Sequence, residues 1–304
     1  MTESHPGWVD PNPPDPVDAK TPAVLVISAI VLTAVVVATL IGVVLRAGGE
    51  HEGGTVGDVL LLPANVPPAE PFSRSVVAVP VVISNQAASM ATDLLAQIPV
   101  RADRGVRLVS GRQHGLYGVT GAAPVCDVVT LANDLDTDPG RSTAWGLALG
   151  LSLPQLPYYL NTLTAVVLLA DTWVTTHRFD NGATHPKQAV LQAGNSILVD
   201  PLGVPRVHCA SGAPLVPPDS GSLADYRIGD DPWPGFATHL VVAVNYAGAD
   251  TISAADDFAV IDVETGQEVT AKVGRAIDLR GAPVPLPDPA VMNIPPDHSG
   301  SGNR

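Results

Sequence analysis

Cations are scarce in this sequence. Its 304 residues carry 16 Lys and Arg against 30 Asp and Glu, a formal net charge of −14, with no run of basic residues anywhere. Phosphate-rich partners need clustered Lys and Arg, so nucleic acid and anionic membrane surfaces are excluded as partners, and the acidity reads as solubility. Cysteine is nearly absent as well, with only Cys126 and Cys209. No CxxC or HxxxH spacing accompanies them, which removes the usual metal-site frameworks. No metal ligand, cofactor or catalytic residue is assigned. No internal repeat is found, and no motif names a reaction.

What is present is an uncharged apolar run at residues 23–45, closed by Lys20 and Arg46. As a helix rising about 1.5 Å per residue it spans roughly 35 Å, enough to cross a hydrocarbon core of about 30 Å. Only Ser28, Thr33, Thr39 and Gly42 interrupt it, and the hydroxyls among them can bond back to the helix. A helix packed on a soluble core would show a polar stripe at helical spacing, and none is present. Glu3, Asp10, Asp15 and Asp18 precede the run and Leu45-Arg46 ends it, so it reads as a signal anchor rather than a cleaved secretory signal. Flanking charge is balanced and does not orient the span. A short tail before a long C-terminal region favours N-terminus cytoplasmic and domain outside. The lipid bilayer is therefore the expected partner of residues 23–45, and the expected location is the cell membrane, single-pass, with the C-terminal domain extracytoplasmic.

Composition divides the chain into a disordered tail at 1–22, the transmembrane helix at 23–46, a flexible linker at 47–56, a domain at 57–278 and a second disordered tail at 279–304. The domain is long enough for one substantial core. Two cysteines in an exported domain suggest one bridge; two buried thiols that never meet are the other reading. β-Branched runs predict strands over 57–62 and 75–84, and a helix is expected over 87–98, stopped by Pro99. Val128, Leu131, Ala132 and Leu135 share one helical face. Asp138-Pro139 supplies an N-cap and a first-turn proline for a helix running toward Leu151, and a short helix from Pro154 carries Tyr158, Tyr159 and Leu160. After Thr164 the pattern turns to strands at 165–170, 173–176, 188–200 and, past the Pro201-Leu202-Gly203 turn, 204–209. A strand at 238–245 and a hairpin of 258–264 with 268–273 complete the series. A helical block followed by a mainly antiparallel β-sheet block predicts an α+β domain.

Several motifs together resemble a domain family of unknown function in actinobacterial membrane proteins. They are Leu62-Pro63-Ala64-Asn65-Val66-Pro67 with Pro71-Phe72, Gly115-Leu116-Tyr117-Gly118 with Cys126-Asp127, Asp171 through His177, Gln188 through Gly194, and Val199-Asp200 with Gly203-Val204-Pro205-Arg206-Val207 and Cys209. The resemblance covers residues 57–275. It implies a domain carried outside the membrane after one span, in some members joined through that span to a cytoplasmic Ser/Thr kinase. The tail at 1–22 has no room for a kinase, so phosphoryl transfer is not expected of this chain. Where the family pattern implies Cys-x-Cys-Gly-Asn-Pro-Leu, the sequence has Cys209-Ala210-Ser211-Gly212-Ala213-Pro214-Leu215. The resemblance thus leaves Cys126 and Cys209 as the possible intrachain pair, and it carries no activity over.

Few residues could carry chemistry. Asp171, His177, His185, His208 and Cys209 include the carboxylate, imidazole and thiol that a cysteine nucleophile needs. A cell-wall L,D-transpeptidase, however, would show Ser-His-Gly-Cys and a following Arg, and Val207-His208-Cys209-Ala210-Ser211-Gly212 fails at those positions. His177 and His185 flank Asn181-Gly182, where a solvated or capping histidine is ordinary, and Asp171 and Asp200 sit at strand ends, where a carboxylate usually caps a turn. Tyr117, Asp171, His177 and Trp233 form the candidate binding surface. The expected function is a non-enzymatic, membrane-anchored envelope module that binds a small ligand or an envelope protein. The alternatives are a cell-wall-acting hydrolase or transferase using Cys209 or the His177/His185/His208 group, and an envelope assembly scaffold.

Overall fold

Among the described residues, Asn181 and Gly182 turn the longest hairpin. Both take positive φ, 49° and 82°, as the two central residues of a type I′ turn must. In the computed structural model, which describes residues 56–292 except 122, 230, 245–256, 275 and 280–282, that hairpin is part of a fourteen-stranded sheet. The strands are β1 (Gly57–Leu62), β2 (Val100–Arg101), β3 (Val106–Val109), β4 (Tyr117–Val119), β5 (Thr164–Leu168), β6 (Thr172–Asp180), β7 (Ala183–Leu191), β8 (Ser196–Val199), β9 (Pro205–His208), β10 (Ala213–Val216), β11 (Tyr226–Ile228), β12 (Val242–Val244), β13 (Asp257–Asp262) and β14 (Glu268–Lys272). Their order across the sheet is β11-β1-β7-β6-β10-β9-β8-β5-β4-β13-β14, with β12 bridging β6 to β3 and β2 hanging on β3.

The described α-helices are α1 (Asn85–Ala96), α2 (Val128–Thr137), α3 (Pro139–Ala148), α4 (Leu156–Leu160) and α5 (Pro289–Met292). The side chain of Ser84 accepts from Ala87 N, that of Asp127 from Thr130 N and that of Asp138 from Arg141 N, so each of the first three starts on a side-chain cap. Pro139 stands in the first turn of α3, where its missing N–H costs nothing. The buried faces of α2 and α3 place Leu131, Leu135 and Trp145 in one apolar cluster with Val167, Leu198 and Val207 of the sheet. β8 and β9 are buried along their whole length, the pattern of strands covered on both faces.

Mixed helix and strand content agrees with an α+β class, but the sheet is less purely antiparallel than the sequence suggests. β1 pairs parallel with β7 and β11, β3 with β12, β12 with β6, and β4 with β13. Strands that precede the helices are thus laid beside strands that follow them, and the blocks that are separate in sequence interleave in space. The strand expected over 75–84 is absent: Val77 makes one isolated bridge to Cys126, and Val82 projects into solvent. The strand expected over 238–245 begins as a 3-10 turn at Thr238–Leu240 and becomes extended only at β12.

Among the described residues no helix is long and apolar enough to cross a membrane. The expected span at 23–45, the tail at 1–22 and the linker up to residue 55 lie outside the described residues. Part of the expected C-terminal tail is described and is packed. Gln155 Nε2 donates to Pro285 O at 2.7 Å, Arg206 donates to Met292 O at 3.2 Å, and Leu286 and Met292 lie against the helical core.

Candidate functional site

Just after the end of β9, Cys209 is bonded to Cys126, the residue before the Asp127 cap of α2. The bridge joins Cα atoms 6.0 Å apart across a sequence separation of 83, and both residues are buried. A sulfur held in a disulfide offers no thiolate, so the bonded Cys209 cannot act as a nucleophile.

His208 beside it sits in a buried polar knot. Asn195 Nδ2 donates to the carbonyls of Leu62 at 3.1 Å and Gln192 at 3.0 Å, which fixes the amide and turns its Oδ1 to His208 Nε2, 3.0 Å away. Nε2 therefore carries the ring proton, and Nδ1 accepts from Ser211 Oγ at 2.9 Å. Burial holds the imidazole neutral, its pKa pushed down to about 4. Asn65, in the left-handed region at φ 55°, donates its N–H to the same Asn195 Oδ1 and accepts Ser196 N on its own side chain. Three distant segments are tied together by groups that satisfy one another, as a buried network must be to add stability.

Ser211 of that knot also reaches the wall of a cavity of about 550 Å³ between β1, β6, β7, β10 and the segment 68–72. The register explains the gathering. Thr176 lies opposite Lys187 on β7 and Leu215 on β10, while Leu60 lies opposite Ala189, two residues from Lys187, so alternate residues of four neighbouring strands share one face. The segment 68–72 is held beside β6 and β10 by Ser73 N donating to Ser211 O at 2.7 Å, by Arg141 donating to the Phe72 carbonyl, and by Phe72 packing on Phe179 at 5.5 Å between ring centroids.

Leu60, Leu62 and Phe72 make the apolar part of the wall. Leu60 is 42% exposed although Val59 and Leu62 beside it are buried. The charged groups are mostly matched. Arg178 pairs with Glu70 and lies 3.8 Å from Asp180, and Asp58 accepts from Arg227 Nε at 2.7 Å. That hydrogen bond, helped by the attraction of Arg227 and Lys187, holds the Asp58 carboxyl below its ordinary range. Lys187 alone has no ion-pair partner among the described residues. His177 lies 3.1 Å through Nδ1 from Pro214 O; a carbonyl only accepts, so Nδ1 is protonated and Nε2 is left as an acceptor. Burial lowers its pKa and keeps it neutral near pH 7. The cavity thus combines an apolar wall, one neutral imidazole and four charged groups, Asp58, Glu70, Arg178 and Lys187, whose formal charges cancel.

The four residues expected to form a binding surface do not converge. Tyr117 is buried and its hydroxyl donates to Gly203 O at 2.5 Å, so its ring is part of the core and presents no surface. Asp171 and Trp233 meet each other: Trp233 Nε1 donates to Asp171 Oδ2 at 3.0 Å, and Ala193 N donates to Asp171 Oδ1 at 2.9 Å. Burial raises the Asp171 pKa against the pull of those two bonds. The carboxylate is engaged in holding the Trp233 segment and the 193 turn. Only His177 lines the cavity. His185 stands opposite Arg178 in the hairpin and His208 in the buried knot, so the three histidines form no cluster. Among the described residues no group of three His, Cys, Asp or Glu is placed to hold a metal.

A family model described as a domain of unknown function, DUF6777, matches residues 107–274, just over half of the chain. The chain belongs to the DUF6777 family. No curated protein and no solved structure matches it. The DUF6777 match contains both cysteines, the polar residues Asn195, His208 and Ser211, and three of the four strands around the cavity. β1 and the segment 68–72, which close the cavity, precede the DUF6777 match. Sequence reasoning missed Leu60, Glu70, Arg178 and Lys187. Leu60 carried no signal that sets it apart in the aliphatic run Val59-Leu60-Leu61-Leu62, whereas Lys187 carried a faint one, as one of only three lysines in the chain.

Proposed function

We propose that the chain is a membrane-anchored envelope protein whose C-terminal domain is a non-enzymatic module that takes a small ligand into the cavity between β1, β6, β7 and β10. One observation carries this reading: Leu60, a large aliphatic side chain, stands 42% exposed on the wall of a cavity of about 550 Å³. Small-ligand sites are concave, largely apolar and a few hundred Å³ in volume, with a small number of polar groups that fix orientation. The disulfide supports an oxidising compartment for the domain, and the uncharged run at 23–45 supplies the anchor. A hydrolase working through Cys209 would require a free thiolate, whereas Cys209 is bonded to Cys126.

Hydrogen exchange on the full chain tests the reading. Small molecules extracted from the envelope of the cells that make the protein are added to wild type and to Leu60→Trp, whose larger indole narrows the cavity at its apolar wall. The expected result is slower exchange in β1, β6 and β7 of the wild type alone. Protection that is equal in both proteins, or absent from both, contradicts a ligand in this cavity.

A further inference from the structure

We infer that the ligand of this cavity is an uncharged amphiphile, an aliphatic chain ended by a hydroxyl-bearing head, with the chain on Leu60, Leu62 and Phe72 and the head on Thr176 and His177. The inference rests on the proposed ligand-binding reading and adds the chemistry of the ligand. Two polar groups that the fold leaves unmet carry it. Thr176 and His177 line the cavity and are only 7% and 8% exposed. Among the described residues nothing bonds the Thr176 hydroxyl, and nothing bonds His177 Nε2, which is an acceptor because Nδ1 donates to Pro214 O. Their neighbours are answered within the protein: Thr175 Oγ1 donates to Pro217 O at 3.0 Å, and Ser211 Oγ bonds His208. The ladder of β10 on β6 ends at the Leu215–Thr176 pair, so His177 borders the cavity beside it. Consecutive strand residues project to opposite sides, and the two groups therefore call for two oxygens of one head. The charges decide that the head is neutral. Asp58 bonds Arg227 and is also attracted by Lys187, and Glu70 pairs with Arg178, so the wall selects neither an anion nor a cation. An ionic head would lose its hydration here without gaining an opposite charge. A pure hydrocarbon would leave Thr176 and His177 unmet, and a bare polyol would leave Leu60 exposed to water. Hydroxyls both donate and accept, so one can answer the Nε2 lone pair and another the Thr176 O–H.

The test uses the full chain in nanodiscs of zwitterionic lipid, with binding to empty discs subtracted. The probes are monodecanoylglycerol, decyl glucoside, decane, decanoate and decyltrimethylammonium, each below its micellar concentration. Monodecanoylglycerol is expected to bind more tightly than either charged probe. Thr176→Val keeps the side-chain shape and removes the hydroxyl; it should weaken monodecanoylglycerol about three- to tenfold, the scale of one net hydrogen bond. Thr176→Ser should keep wild-type affinity. His177→Asn, whose amide can still donate to Pro214 O, should weaken monodecanoylglycerol by a similar factor. Decane binding should stay unchanged in all three variants, which reports an intact cavity. Tighter binding of monodecanoylglycerol than of decyl glucoside supports the neutral head and assigns its source to a glyceride; the reverse order supports it and assigns a glycolipid. Tighter binding of decanoate or decyltrimethylammonium, or full monodecanoylglycerol affinity in Thr176→Val or in His177→Asn, overturns the neutral hydroxyl head while leaving the cavity as a site. If no decyl probe binds, the amphiphile is overturned, and the cavity itself is judged by the exchange difference between wild type and Leu60→Trp.

Discussion

Lowering the pH from 7 to 5 should destabilise the domain through one buried imidazole. His208 is wholly buried, with Nε2 bonded to Asn195 Oδ1 and Nδ1 accepting from Ser211, so the folded ring has no place for a second proton. Its folded pKa is about 4; an unfolded histidine titrates near about 6.5. As the pH falls the unfolded chain takes up the proton first. The stability contributed by neutral His208 is therefore complete above about pH 6.5 and is lost between there and about pH 4. Integrating that linkage gives a loss of roughly 2 kcal/mol between pH 7 and 5, rising to roughly 3 kcal/mol below pH 4. Asp127, Asp138 and Asp262, whose pKa values are lowered by hydrogen bonds, lose their contribution only below the ordinary carboxylate range and do not intrude. His177, also lowered by burial, adds in the same direction and is controlled by His177→Gln. Urea denaturation followed by tryptophan fluorescence at pH 7, 6 and 5 reads the effect. In His208→Gln, whose amide can donate to Asn195 and accept from Ser211, the dependence should flatten. Identical pH slopes in wild type and His208→Gln would refute a neutral, buried His208.

Replacing Cys126 and Cys209 together with Ser releases a loop with a sequence separation of 83. In the chain-entropy model that costs about 4.5 kcal/mol, and calorimetry should show a midpoint lower by about 10 °C for a domain of this size; an unchanged midpoint contradicts a structural bridge. Gly203→Ala should cost more than about 2 kcal/mol, because Gly203 has φ 78° and a Cβ there would stand 2.0 Å from Gly111 O; a denaturation midpoint equal to wild type argues against that close approach. Deleting residues 283–304 removes the Met292 carbonyl from Arg206 and the Leu286 and Met292 side chains from the helical core, and stability should fall by about 1–3 kcal/mol from the part-buried bond alone; full stability in urea would show that the segment contributes nothing. Protease added to intact protoplasts should remove the C-terminal domain, and its protection would reverse the proposed orientation.

What could be read from the sequence was local. The Asp138-Pro139 cap acts within a few residues, so its helix stands close to where the sequence places it, as do the two helices that start after Ser84 and Asp127; the hairpin turned by Asn181-Gly182 was read only in part, as strands at 173–176 and 188–200 with nothing between them. The hairpin of β13 and β14 was legible for the same reason. The parallel pairing of β1 with β7 was not, because it joins residues about 130 positions apart and no neighbouring residue encodes it. The cavity depends on that pairing, so Leu60 and Lys187 cannot meet on paper. Tyr117 illustrates the opposite error: a glycine-flanked tyrosine looks available, yet its hydroxyl finds Gly203 O in a segment 86 residues away. Trp233 and Asp171 were both singled out, but for surface roles; they are 62 residues apart and meet as a structural clasp.

The most direct test of a ligand-binding domain is a native mass spectrum of the full chain purified in a mild detergent from the cells that make it. Wild type should carry a bound small molecule that Leu60→Trp lacks. Bare protein mass in both, or the same adduct in both, contradicts occupation of the cavity between β1, β6, β7 and β10.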